Sequence, residues 1–224
     1  MSVKRLLLRI PLHLILLAFT VVWLVPTLGL LVTSFRSPEN IFDSGWWTVF
    51  ADLFDVSQYT FENYTQVITK QGMGRSFLNS LTISIPATLI STFMGAMVAF
   101  GFAWMKFAGR KILFLLVIGL MVVPLQMTFI PILPIYSWLG LSGTFPGIWL
   151  AHTGYGLPLT TYLLYAFISR VPRELVESAS IDGASPIKIF YRIVIPISVP
   201  ALASVFIFQF LWVWNDFLVA LIYL

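Results

Sequence analysis

The chain has 224 residues, 59% hydrophobic and only 10% charged, with a net charge of +4 and no cysteine. Soluble domains average about a quarter charged residues, so a soluble globular fold is excluded and the composition describes an all-α polytopic membrane protein. The missing cysteines exclude a disulfide framework and a thiolate metal site. The basic residues sit at the ends of apolar runs rather than in a patch, which argues against a nucleic-acid partner.

The N-terminal MSVKRLLLRIP has the charged start of a signal peptide. The apolar run that follows is too long for a cleaved leader and lacks a small-residue cleavage site. It predicts a retained helix over 10–34 with a kink at Pro26. The organisation expected is an N-terminal helix (1–35), an extracytoplasmic segment (36–77) and a membrane core (78–224). The external segment carries Glu39, Asp43, Asp52, Asp55 and Glu62 among Trp46, Trp47, Phe50, Phe54, Tyr59, Phe61 and Tyr64. Its aromatics read as interfacial anchors in a small packed subdomain, or as a docking surface for another protein.

Four more runs approach the roughly 20 residues that a bilayer core requires. They cover 78–105 (with Pro86, Gly95, Ala96, Ala99 and Gly101), 112–137 (broken by Pro124, Pro131 and Pro134), 146–169 and 197–222. With the N-terminus in the cytoplasm, ten of the 13 basic residues fall inside and only Arg36, Lys70 and Arg75 outside. The positive-inside rule selects that orientation.

One polar island remains, the cytoplasmic loop 170–196. Pro172 is placed for a helix N1 position, and Glu174 falls in the first turn, where a carboxylate suits the helix dipole. Gly183 is placed to end the helix with a left-handed residue. Ser185-Pro186 restarts a second helix, and Pro196 is expected to close the unit. Ala179 and Gly183, four apart, share a face without bulky side chains, beside Glu177. On spacing alone the loop reads equally as an amphipathic connector or as a docking site for another protein.

Glu177-Ser178-Ala179, three residues, Gly183, nine residues and Ile193-Val194-Ile195-Pro196 resemble the coupling-loop signature of binding-protein-dependent ABC importer permeases. That pattern is Glu-Ala-Ala, three residues, Gly, nine residues, Ile-x-Leu-Pro. The chain departs from it at Ser178 and Ile195, both by small or apolar exchanges. The resemblance implies that Glu174, Glu177, Ser178, Ala179, Asp182 and Gly183 couple the membrane helices to an ATPase. It also implies a six-helix subunit, of which five helices are visible and a sixth is expected beyond Leu224.

Polar residues at membrane depth are functional candidates by default. The last run carries Gln209, Trp212, Trp214, Asn215 and Asp216. Twenty residues of helix, about 30 Å, separate Pro196 from Asp216 and place Asp216 near the outer boundary. The cluster is either interfacial or the lining of a cavity, where indoles stack on sugar rings and polar groups meet hydroxyls. Trp214-Asn215-Asp216-Phe217 resembles a sequence of the maltose-type carbohydrate branch, which implies a sugar. Gln126 and Thr128, in the proline-broken run, line a pathway or bond a neighbouring helix. His13 and His152 have no spaced acidic or histidine partner and read as packing residues rather than metal ligands.

No phosphate-binding loop, Gly-x-Ser-x-Gly elbow or His-Glu-x-x-His motif is present, so the chain reads as a non-enzyme. The resemblance implies that it binds no cofactor and that ATP and Mg are held by two ATP-binding cassette subunits. It further implies a second permease chain, a periplasmic or lipid-anchored solute-binding protein, membrane lipid around the helices, and a multi-pass place in the bacterial inner membrane. Alternatives are a non-sugar solute, a secondary transporter or a membrane scaffold. A secondary transporter is expected to show an inverted repeat, and none is visible.

Overall fold

The structure, a computed structural model, describes residues 9–51 and 55–224. Lys4 and Arg5 of the basic start, and Asp52 and Phe54 of the external segment, lie outside the described residues. The chain divides into two compact units, Met1–Phe77 and Leu78–Leu224.

The first unit opens with helix α1 (Ile10–Ser34), which contains Pro26. Its side chains point outward almost without exception, as Trp23 (82% exposed) and Leu30 (74%) illustrate. Gly29 is buried because the Trp46 ring lies over it, and a Cβ there would sit 3.0 Å from the indole. Beyond α1 the chain folds around Arg36, which is 2% exposed. Its guanidinium donates to Ser44 Oγ (2.6 Å) and to the Ser44 carbonyl (3.1 Å). Asn63 Nδ2 donates to the carbonyls of Ser34 and Arg36. Phe35 packs on Phe61 (5.5 Å) and Tyr64 (5.1 Å). A buried cation held this way contributes about 1.5–3 kcal/mol per hydrogen bond, enough to pin a short segment that has no named strand among its described residues.

The membrane core follows. It comprises α2 (Met73–Trp104), α3 (Arg110–Gly119), α4 (Leu125–Trp138), α5 (Phe145–Ile168), α6 (Arg173–Ile181), α7 (Pro186–Ile189), α8 (Ile195–Asn215) and α9 (Leu218–Tyr223). Within the second unit α5 is the interior helix and packs on α8 and α9. Its small and polar residues allow this. A Cβ on Gly95 of α2 would meet Thr160 Oγ1 at 2.6 Å, so the two backbones touch. This is the small-residue packing that membrane helices use in place of hydrophobic drive. Two apolar clusters form along α5. One gathers Phe100, Leu164, Ile168, Val176, Phe190 and Val205, and the other Phe129, Ile148, Val219 and Tyr223. Between them along the helices lie buried Thr88, Ser91, Thr160, Thr161 and Gln209.

Several expected spans come out differently. Three helices are long and apolar enough to cross a membrane (Ile10–Ser34, Met73–Trp104 and Pro186–Asn215), or up to four crossings if a bent pair counts as one. That pair is Arg110–Val122 with Leu125–Trp138, turned by 104°. The expected span 112–137 is therefore bent sharply at Pro124, which takes the extended N-cap position of α4. Pro131 and Pro134 do not break it, because both lie inside α4. The span expected at 146–169 is a 24-residue helix, about 36 Å long, and its threonines, Gly147, Gly156 and His152 are buried in the protein interior. The last span does not reach 222. It stops at Asn215, Asp216 adopts extended backbone (φ −78, ψ 127), and α9 restarts at Leu218.

Two prolines of the polar loop also move. Pro172 is the N-cap of α6 rather than its first residue, with ψ at 131. Pro196 closes nothing. It enters the first turn of α8, and a π-turn over Phe190–Val194 joins α7 to α8 without a gap. The Ile195 N–H reaches back five residues to the Phe190 carbonyl. That extra residue sits directly upstream of the proline, which has no N–H to give.

Candidate functional site

Two regions carry functional geometry, both within the second unit. The first is the polar loop. Helix α6 ends in a Schellman cap, in which the Ala184 N–H donates to the Ala179 carbonyl (2.9 Å) and the Gly183 N–H to the Ser180 carbonyl (3.1 Å). Gly183 has φ +76, which only glycine adopts without strain. Ser185 then caps α7 by accepting the Lys188 N–H. The loop is anchored as well as capped. Val176 and Ile189 are buried, and Phe190 packs on Phe100 with ring centres 5.3 Å apart. Glu174, Glu177, Ser178, Asp182 and Gly183 are exposed, and Ile181 is 87% exposed.

Ala179 does not share an open face with Gly183; it packs half-buried against the apolar cluster around Leu164 and Val176. Its small size serves the turn, where Ala179 and Ala184 meet beneath the cap. The outward surface is carried by Glu177 and Ile181 instead.

The second region is a cavity of about 570 Å³ lined by residues of α5 and α8 together with Met121. Tyr155, Gly156, Leu159, Thr160 and Leu163 come from α5, and Val205, Phe208, Gln209 and Trp212 from α8. Gln209 is 3% exposed, and its Nε2 has no hydrogen-bond partner among the described residues. It fits only because residue 156 is glycine, for a Cβ there would collide with the amide. A neighbouring cavity of about 450 Å³ shares Met121 and Tyr155. Tyr155 is held by a hydroxyl chain in which Thr128 Oγ1 donates to its OH (2.9 Å) and Tyr223 OH lies 2.9 Å away.

Of the five pathway candidates, the cavity collects Gln209 and Trp212. Gln126 is exposed and lines neither of these two cavities. Gln126 and Thr128 share α4, but residues two apart on a helix point to different faces, so only Thr128 turns toward the smaller cavity. Asn215 is exposed and its Nδ2 donates to the Leu211 carbonyl of its own helix. Asp216 accepts the Val219 N–H (2.9 Å) at the start of α9. Its Oδ2 lies 3.9 Å from His152 Nε2, and Trp212 stands edge-on to the His152 ring (5.7 Å). His152 therefore has an acidic partner that spacing does not reveal. Tyr155, Gly156 and Thr160 also escape sequence reasoning. Their signal is a face of α5 at positions 155, 159, 160 and 163, hidden in a run that reads as lipid-spanning. Among the described residues no group of three or more His, Asp or Glu is placed to hold a metal.

Residues 87–224 match the family described as the inner membrane component of binding-protein-dependent transport systems. The chain is 51% identical over 216 residues to an osmoprotective compounds uptake permease protein of Synechocystis sp., covering 96% of this chain and 72% of that one. It is 52% identical over 172 residues to an alpha-glucoside transport system permease protein of Rhizobium meliloti, covering 75% of this chain and 45% of the relative. It is 32% identical over 206 residues to a diacetylchitobiose uptake system permease protein of Streptomyces coelicolor, covering 92% and 66%.

Proposed function

The chain belongs to the family of inner membrane components of binding-protein-dependent transport systems, and from that membership we propose that it is the permease subunit of an ATP-driven importer of a sugar or oligosaccharide. The observation that carries the reading is α6, rigidly capped and anchored while its Glu177–Ile181 surface stays exposed. Swinging an alternating-access equilibrium from 1:99 to 99:1 takes about 5.5 kcal/mol. A loosely held loop cannot transmit that, whereas a short helix clamped to α2, α5 and α7 moves with them as one body.

Two ATP-binding cassette subunits hold ATP and Mg, and one of them receives α6 in a surface cleft. A second permease chain completes the pathway, and a solute-binding protein delivers substrate from outside. This chain supplies neither cofactor nor ATPase chemistry. Its N-terminus and loop 170–196 face the cytoplasm, an orientation that the distribution of basic residues supports.

The cavity on α5 and α8 is the part of the pathway this chain contributes. Its size lies within the 300–1,000 Å³ of small-molecule sites. Trp212 offers an indole face, and Gln209, Thr160 and Tyr155 offer groups that bond hydroxyls. Relatives named for alpha-glucoside, diacetylchitobiose and trehalose transport support a carbohydrate. The relative named for osmoprotective compounds favours a second panel, small osmoprotective solutes.

Uptake by proteoliposomes holding the assembled complex tests the reading. Uptake of an alpha-glucoside that needs internal ATP and the solute-binding protein, and survives collapse of ion gradients, is the expected result. Uptake driven by an ion gradient without ATP would overturn it.

A further inference from the structure

The connection between α2 and α3 holds a surface that is separate from both the polar loop and the α5–α8 cavity. Residues 105–112, Met-Lys-Phe-Ala-Gly-Arg-Lys-Ile, place Lys106, Arg110 and Lys111 around a cavity of about 510 Å³ that Phe107, Gly109 and Ile112 complete. The turn is built rather than loose. Gly109 takes φ +78, Arg110 Nη1 donates to the Met105 carbonyl (2.9 Å), and Phe107 packs against Phe102 (6.1 Å), which in turn packs against Phe114 (5.3 Å). Among the described residues no carboxylate lies within salt-bridge distance of Lys106, Arg110 or Lys111, so the three cations share this cavity without a counter-charge. Three like charges around one concavity repel, and an anion between them removes that cost.

The neighbouring surface identifies the anion. Ile112 lines the cavity and also begins the apolar side of α3, where Ile112, Leu115 and Leu116 are 66%, 67% and 61% exposed. Met105 and Phe107 flank the cations and are more than 40% exposed. A free phosphate uses the charges and leaves the apolar strip bare. An anionic phospholipid uses both, with its phosphate among Lys106, Arg110 and Lys111 and an acyl chain along α3. We propose that this surface binds an anionic phospholipid of the cytoplasmic leaflet, fixing the α2–α3 corner at the membrane boundary. The placement rests on the orientation proposed above, but the chemistry does not.

The test is lipid retention by the complex purified in mild detergent, read by native mass spectrometry with phosphatidylglycerol against phosphatidylcholine. The wild-type complex is expected to retain phosphatidylglycerol preferentially. A basic side chain beside an anionic headgroup is worth about fivefold, so the Lys106→Gln/Lys111→Gln double variant is expected to lose roughly 30-fold of that preference. Lys106→Arg/Lys111→Arg is expected to keep it, and Lys188→Gln, on the polar loop, is expected to leave it intact. Equal retention of the two lipids by wild type overturns the proposal whether or not the glutamine variant folds. So does full displacement of phosphatidylglycerol by excess inorganic phosphate, which would make this a phosphate site. Retention needs no transport, so it succeeds or fails independently of the importer reading. Side-specific labelling of Lys106 in oriented vesicles checks the leaflet separately.

Discussion

His152 Nε2 lies 3.9 Å from Asp216 Oδ2, joining the first half of α5 to the break between α8 and α9. Asp216 has two tasks there. One carboxylate oxygen accepts the Val219 N–H that opens α9 and also faces the buried imidazole. Trp212, one turn back on α8, leans its ring against the same histidine, so the corner fixes one wall of the cavity. Asp216→Asn keeps an acceptor for Val219, whereas Asp216→Ala removes it. A lost N-terminal cap costs about 1 kcal/mol. We expect the alanine variant to unfold a few degrees lower than the asparagine variant in a thermal scan of detergent-purified protein. Equal midpoints would show that the capping bond contributes nothing.

Gly156 and Gln209 set the depth of the cavity. A Cβ at position 156 collides with the Gln209 amide, so Gly156→Ala must push that side chain out of its place. Pocket changes of this size alter recognition by about 10-fold or more. Gly156→Ala is expected to raise the half-saturation concentration for uptake by at least that factor while protein levels hold. Trp212→Ala, which removes the indole without crowding, is expected to weaken affinity for a sugar more than for a small non-sugar osmoprotectant. Unchanged uptake curves for both variants would remove the cavity from the substrate path.

Local chemistry is legible where it stays local. Helix-end rules place Gly183, Ser185 and Glu174 where the structure has them, because a cap needs only its own few residues. Pro196 misleads for a local reason of another kind: a π-turn absorbs the missing N–H, and composition carries no sign of it. Ala179 turns the other way because a small residue suits both a buried face and a docking face, and tertiary contact decides. The His152–Asp216 pair and the Tyr155–Gly156–Gln209 wall are illegible for a stronger reason. In lipid, apolar periodicity does not separate an interior helix from an exposed one, so α5 looks like any span until its partners are in place. Gln126 sits on the exposed face of α4, two residues from the inward Thr128, and which face turns inward is decided by tertiary packing.

Gly95 and Gly119 make a controlled pair for the packing argument. A Cβ at Gly95 falls 2.6 Å from Thr160 Oγ1 and 2.9 Å from its Cβ, whereas a Cβ at Gly119 meets nothing within 4 Å. Overpacking a tight helix contact costs about 1–3 kcal/mol. Glycine within a helix is itself worse than alanine by roughly 0.5–1 kcal/mol. Gly95→Ala is expected to lower the thermal midpoint and Gly119→Ala to leave it unchanged or raise it. A lower midpoint for Gly119→Ala than for Gly95→Ala would contradict the α2–α5 contact as described.

Gly183 tests coupling apart from folding. Its φ of +76 is left-handed, and a Cβ there would meet no atom within 4 Å. Gly183→Ala therefore meets no clash, only a backbone penalty of about 1–2 kcal/mol, and Gly183→Asn less. Both act at the turn that holds α6 against α7, and Gly183 is not among the residues that line the cavity. We expect the alanine variant to insert and assemble, to hydrolyse ATP, and to import less substrate per ATP, with asparagine in between. Gly183→Trp and Glu177→Lys add bulk or reversed charge on the exposed surface and are expected to uncouple more completely, again without loss of insertion. Uptake and ATP hydrolysis measured in the same proteoliposomes give the ratio directly. A normal ratio in Gly183→Trp and Glu177→Lys would mean that α6 does not carry the ATPase stroke, and the exposed Glu177–Ile181 surface would then need another partner.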